Sequence, residues 1–180
     1  MAGEGPKPSL GTGSGETFSW RLQPPQGGEE AGGLLSVEIK GEINENADFS
    51  ELRRQLYGDV VLQLDGISRI NSCGVREWVN FVRGLDAVGS LYFARCSPTV
   101  VLQLNTIYNF RGRARVVSFL APYVCEVCHV DEYKLLDVNE HFHDRQHPSV
   151  PAFRCERCGG VLMFDELPER YFSFLAEEGS

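Results

Sequence analysis

The feature that most restricts this chain is a repeated pair of cysteines, Cys125-Glu126-Val127-Cys128 and Cys155-Glu156-Arg157-Cys158. Two intervening residues let both sulfurs of a pair turn toward one point. A single such pair is ambiguous between a redox dithiol and half of a metal site. Two pairs flanking the short segment 129–154 supply four thiolates, which close a tetrahedron around Zn²⁺ and leave no position open for a substrate. The spacing therefore predicts a structural Zn²⁺ site made by Cys125, Cys128, Cys155 and Cys158, and it argues against a thiol redox protein. His129, His141, His143 and His147 lie beside or between the pairs. An ion with four thiolates needs none of them, and they read as polar loop residues.

Gly159-Gly160 follows the second pair and permits a tight knuckle turn, from which Val161-Leu162-Met163-Phe164 runs out as a strand. On these residues the C-terminal part resembles a zinc ribbon, with Cys155-x-x-Cys158-Gly159 the more specific half. The first pair departs from the pattern, because His129 stands where a knuckle glycine is common. Pro168 to Leu175 reads as a closing helix whose apolar face is Leu167, Tyr171, Phe174 and Leu175. That face is expected to pack on the ribbon, which has little core of its own.

The chain has 180 residues, 42% of them hydrophobic, enough for one ordinary domain and a small module. Its formal net charge of −8 opposes phosphate backbones and anionic lipid, so neither nucleic acid nor a membrane surface is the expected partner. No stretch approaches the ~18 apolar residues of a membrane span. The expected location is cytoplasmic, where a reducing environment favours metal binding over disulfides. Residues 1–16 are rich in Gly, Ser and Pro and read as a disordered tail, not a signal peptide. The expected division is an α/β domain over 17–121 and a zinc-ribbon-like module over 122–180, each with its own core.

Within the first part, Phe18, Trp20 and Leu22 alternate with polar residues, as do Leu35, Val37 and Ile39 on the way to Ile43. A period of two marks half-buried strands, joined here by a turn-rich loop from Pro24 to Gly33. Asp48, with Glu51 three residues on, predicts a capped helix whose stripe is Phe49, Leu52 and Leu56. Val60 to Leu64 reads as a central strand, and a helix with Val75, Trp78, Val79, Val82 and Leu85 follows Asn71, with Gly89 beyond its end. Leu91 to Ala94 is a strand, Ser97-Pro98 opens a helix carrying Val101, Leu104 and Tyr108, and Ala114 to Leu120 is a last strand. Alternating strands and helices imply a mixed β-sheet with helices packed on it.

Three segments carry a family resemblance: Val37-x-Ile39-x-Gly41-Glu42-Ile43, then Val60-Val61-Leu62-Gln63-Leu64-Asp65-Gly66-Ile67, and Ile70-Asn71-Ser72-Cys73-Gly74-Val75 opening a helix. Together they make residues from about Leu34 to Leu120 resemble the STAS family, shared by sulfate transporters and anti-sigma factor antagonists. The last segment is the most specific, where the family usually reads Asp-Ser-Ser-Gly-Leu or Asp-Ser-Thr-Gly-Leu. Asn71 replaces the usual Asp and Cys73 the second hydroxyl residue. The resemblance implies no enzymatic activity and a protein-docking face at Asn71, Ser72, Cys73 and Gly74. It also implies a partner such as a kinase or anti-sigma-type regulator, with Ser72 as the phosphorylation site. The residues alone point partly the same way, since Ser72 would sit at a helix N-terminus, where free amides favour an anion. They equally fit Asn71 and Ser72 as plain helix caps, and Cys73 and Cys96 as small core residues.

Phe110-Arg111-Gly112-Arg113-Ala114-Arg115 is the one basic cluster of the sequence, able to meet phosphate groups or simply to form a solvated turn. The expected function is a non-catalytic regulatory or adaptor protein, a STAS-like docking domain joined to a structural zinc ribbon. One competing class is a nucleic-acid-associated zinc ribbon, opposed by Glu156, Asp165, Glu166 and Glu169 around the second pair. The other is an enzyme, for which no paired catalytic constellation or Gly-rich phosphate loop is present.

Overall fold

The computed structural model describes residues 12–14, 18–23 and 33–179. Two sheets share one buried cluster that runs from Phe18 to Leu175. The first sheet has six strands in sequence order: β1 (Thr12–Ser14), β2 (Phe18–Gln23), β3 (Leu35–Ile43), β4 (Gly58–Ile70), β5 (Val88–Ala94) and β6 (Arg115–Val116). β1, β2 and β3 pair antiparallel, and β3 through β6 pair parallel. The mixed α/β architecture expected from the alternation is what the chain adopts. Most of the expected tail, and residues 24–32 of the expected loop, lie outside the described residues; Thr12–Ser14, assigned to the tail, instead pairs with β2.

The register shows why the alternation was readable. Leu22, Val37, Leu62, Phe93 and Val116 are direct neighbours across five strands, and all are buried. The neighbouring row of Ser36, Val61, Tyr92 and Arg115 points to the other face. Three helices complete this part: α1 (Ser50–Gln55), α2 (Ser72–Arg83) and α3 (Pro98–Thr106). Trp78 of α2 is fully buried, stacks on Phe110 at 5.5 Å and donates its indole N–H to the Phe110 carbonyl at 3.0 Å.

Local capping differs from expectation in three places. Asp48 does not cap α1; it accepts from the Ser50 amide at 2.8 Å, while Glu51 turns to Arg54 and Gln55. An Asx-type turn two residues ahead outcompetes the capping box. α2 ends on Gly84, and Gly89 lies inside β5. Tyr108 falls past the end of α3 and is 90% exposed.

The second sheet has the order β8-β7-β10-β9, all antiparallel. Its strands are β7 (Ser118–Cys125), β8 (Asp131–Asp137), β9 (Phe153–Arg154) and β10 (Val161–Phe164), with a one-turn helix α4 (Val138–His141) after β8. The expected strand Ala114–Leu120 is broken at Val117, and its second half continues through Ala121-Pro122 to Cys125. The boundary placed at Ala121-Pro122 therefore falls inside a strand. Pro122 is tolerated there because the neighbouring residues keep the β7–β8 and β7–β10 ladders intact.

The closing helix is split into α5 (Pro168–Tyr171) and a 3₁₀ segment (Ser173–Gly179). Asn105 of α3 causes the break, donating to the Tyr171 carbonyl at 3.0 Å and accepting from the Phe174 amide at 2.9 Å. Tyr171, Phe172, Phe174 and Leu175 are all buried, a wider set than the expected face, whereas Leu167 is 54% exposed. These aromatics pack around Phe119 of β7 and against α3, so the segment bridges the two sheets instead of covering the second one alone, as expected.

Candidate functional site

The four predicted cysteines come together. Cys125 ends β7 and Cys128 closes the turn to β8; Cys155 and Cys158 hold the equivalent turn between β9 and β10. The two turns share one hydrogen-bonding scheme. The His129 amide donates to the Cys125 carbonyl at 3.0 Å, and the Gly159 amide to the Cys155 carbonyl at 2.9 Å. The Cys125 and Cys155 amides then donate to Val130 and Gly160 carbonyls at 3.0 and 2.8 Å. The fifth residue of each knuckle has left-handed backbone, φ 74° at Gly159 and φ 52° at His129. His129 thus takes the glycine's conformation with a side chain attached, at a conformational cost.

The sulfurs of Cys125 and Cys158 lie 3.4 Å apart, those of Cys128 and Cys155 3.6 Å apart, and all four fall within 4.8 Å of one another. A tetrahedron with ~2.3 Å metal–sulfur bonds has edges of about 3.8 Å, so the donor set fits a thiolate-bound metal ion. None of the six cysteines forms a disulfide. The Gly160 amide approaches the Cys158 sulfur at 3.4 Å, the kind of contact that stabilises a thiolate. No histidine joins the group among the described residues. His141 is engaged with the Asp137 backbone and His147 with Asp144.

The surroundings pull the thiols in different directions. Amide donors, led by that of Cys128, draw the Cys125 thiol down to about 6. The Glu132 carboxylate, with burial behind it, holds Cys155 up at about 12. Burial raises Cys128. Glu132 is fixed by Lys134 at 2.7 Å, and Lys134 reaches Glu156 at 2.6 Å, so β8 is clasped to the second knuckle. This Glu132–Lys134–Glu156 clasp was not legible in the sequence, because nothing in it pairs residues from β8 with the turn after β9.

The second candidate region is the loop between β4 and α2. Asn71 caps α2, its side-chain oxygen accepting from the Gly74 amide at 2.7 Å, and its Nδ2 donates to Glu45 at 2.9 Å. That contact holds the Glu45 carboxyl below its ordinary range. Ser72 and Cys73 are exposed, while Gly74 is buried. A Cβ on Gly74 would lie 2.0 Å from the Ile43 carbonyl oxygen, so this glycine serves the close approach of α2 to the end of β3 and has no surface to offer. Cys96 is fully buried, as a small core residue would be.

Among the described residues no helix is long and apolar enough to cross a membrane. No family model, no curated protein and no solved structure matches the chain.

Proposed function

We propose that the chain is a non-catalytic regulatory or adaptor protein, in which a STAS-like docking domain is joined to a zinc ribbon whose Zn²⁺ is purely structural. The observation that carries the docking reading is the Asn71 loop. It ends the longest strand of the sheet, it is capped by Asn71, and it exposes Ser72 and Cys73 at the start of a twelve-residue helix. The parallel order of β3 to β6, with helices in the crossovers, supports the STAS-like reading as well. Four converging thiolate donors support zinc, which in such a set has no open coordination position and adds folding free energy instead of chemistry.

The docking face consists of Asn71, Ser72 and Cys73 beside Glu45, with Gly74 supporting it from below. A phosphate on Ser72 would be tolerated by the α2 amides, stabilised by roughly 0.3–1 kcal/mol, yet it would stand near the Glu45 carboxylate and repel a partner seated there. The test is to capture a partner from the native host with wild-type protein and then measure its affinity for Ser72→Glu and Ser72→Ala by calorimetry. Ser72→Glu should weaken the complex with little change in thermal stability, and Ser72→Ala should keep it. Equal affinity for all three moves the docking face elsewhere. Weak binding by Ser72→Glu without any phosphoserine in cells keeps the face and removes the switch.

A further inference from the structure

The second sheet has two faces of opposite character. Its inner face carries Phe119, Tyr123, Leu136 and Leu162 into the buried cluster. Side chains alternate along each strand, so Pro122 and Val124 of β7 share the other face with their cross-strand neighbours, Tyr133 of β8 and Met163 of β10. Tyr133, Leu135, Val161 and Met163 are all exposed there. Scattered apolar residues on a surface are ordinary, whereas a continuous apolar patch across three adjacent strands marks an interaction site.

Size and charge select what covers it. Three strands of about five residues span roughly 14 Å by 16 Å. That is far short of the ~800 Å² each partner gives to a stable dimer, yet it matches the width of one α-helix and about three of its turns. An added strand along the β8 edge is opposed by Glu132 and Lys134, which pair opposite the inward Tyr123 and Ala121; inward charges at an edge guard against such pairing. The ends of the face are acidic. Asp131 stands opposite Val124 at the knuckle end, with Glu126 exposed on the adjoining turn. At the other end Asp165 extends β10, its amide donating to the Pro122 carbonyl at 3.0 Å, and exposed Glu166 follows. Arg154 lies on the outlying strand β9, opposite Val161, and donates to the Gly159 carbonyl at 3.4 Å. A second copy of this acidic chain would set like charges against one another. We propose that this face docks an amphipathic helix of a protein partner, its apolar stripe laid over Tyr133, Pro122 and Met163 and its flanking lysines or arginines meeting the acids at both ends. It is a second docking surface, on the sheet to which the Asn71 loop does not belong.

The test is calorimetric titration of the full zinc-loaded chain, at about 50 mM salt, with three synthetic peptides of about 14 residues. The first is a Leu/Lys sequence with leucines at helical spacing, the second replaces lysine by glutamate, and the third scrambles the Leu/Lys order so that no stripe forms. The striped Leu/Lys peptide should bind saturably with a Kd of about 10 µM, the scrambled one at least about tenfold more weakly, and the Leu/Glu peptide not at all. Tyr133→Ser and Met163→Ser should each weaken binding about fivefold or more, and Tyr108→Ser, exposed beyond the end of α3, should leave it unchanged. Asp131→Asn with Asp165→Asn should weaken it and flatten its salt dependence. Thermal midpoints of the free variants establish that they fold. No saturable binding of the striped Leu/Lys peptide up to about 1 mM overturns the proposal. So does equal binding of the scrambled or Leu/Glu peptide, or unchanged affinity in Tyr133→Ser and Met163→Ser. A dimer seen by light scattering in wild type and lost in Tyr133→Ser also overturns it, since the face would then belong to a second copy.

Discussion

Gly74→Ala separates a structural role from a docking role within the Asn71 loop. The backbone of Gly74 is ordinary helix, so alanine is conformationally welcome; the obstacle is space. The new Cβ would meet the Ile43 carbonyl oxygen at 2.0 Å, the Ile43 carbonyl carbon at 2.5 Å and the Asn44 amide at 3.0 Å, all of them backbone atoms at the end of β3. Restoring ordinary contact requires the start of α2 to withdraw by roughly 1.5 Å. Overpacking of this kind costs about 1–3 kcal/mol. The same movement strains the bond from the Asn71 amide to the Ile43 carbonyl and the Asn71 cap on Gly74, the cap alone being worth about 1 kcal/mol. Alanine's better helix propensity returns up to about 1 kcal/mol. The net loss is about 1–3 kcal/mol, or roughly 2–12 °C in thermal midpoint for a chain of this size. Urea unfolding followed by tryptophan fluorescence reads it directly, because Trp78 lies one turn along the same helix. Ser72→Ala, exposed on the same turn, is the control and should move the midpoint little. A Gly74→Ala protein as stable as wild type would refute the steric argument and return Gly74 to the docking face.

Metal removal should lower stability throughout the chain. Structural zinc contributes ~10–16 kcal/mol in small modules, and chelation should expose the knuckles to protease. The two tryptophans, Trp20 and Trp78, both sit in the first sheet's core, so a chelator-induced fall in the fluorescence-detected midpoint measures coupling between the sheets; an unchanged midpoint would mean independent domains. At the knuckles, His129→Gly should raise the midpoint slightly by relieving left-handed strain worth about 1 kcal/mol, partly offset by unfolded-state entropy. Gly159→Ala, where a Cβ meets nothing within 4 Å but φ is 74°, should lower it by a similar amount; the opposite order would contradict the matched geometry of the two turns.

The readable parts of the sequence were those where one local rule acts alone. The alternation of Leu35, Val37 and Ile39, the helical spacing of Trp78 and Val82, the Asn71 and Ser97 caps and the cysteine pairs all describe short-range geometry, and the chain follows them. The misreadings arose where a tertiary partner decides. Asn105, far back in α3, breaks the closing helix, and no pattern between Pro168 and Leu175 announces it. β8 carries no readable strand pattern, because its outward residues Tyr133 and Leu135 are exposed while its inward ones include Glu132 and Lys134, the reverse of an ordinary half-buried strand. The stretch holding Asn139 and Arg145 comes beside Arg111 and Arg115 only through the fold, which no sequence pattern announces.

The continuity of β7 changes how the metal site should be understood. Its first half gives Phe119 and Ala121 to the buried cluster, and Phe119 meets Phe142, Phe172 and Phe174 there. Its second half gives Tyr123 and Cys125 to the second sheet, with the Tyr123 hydroxyl donating to the Pro151 carbonyl at 2.8 Å. A four-stranded sheet whose outer side leaves Tyr133, Leu135, Val161 and Met163 exposed buries too little to stand alone, and it borrows its core from the first sheet through this one strand. The thiolate site fixes the far end of the same strand, on which the aromatic cluster and the C-terminal segment depend.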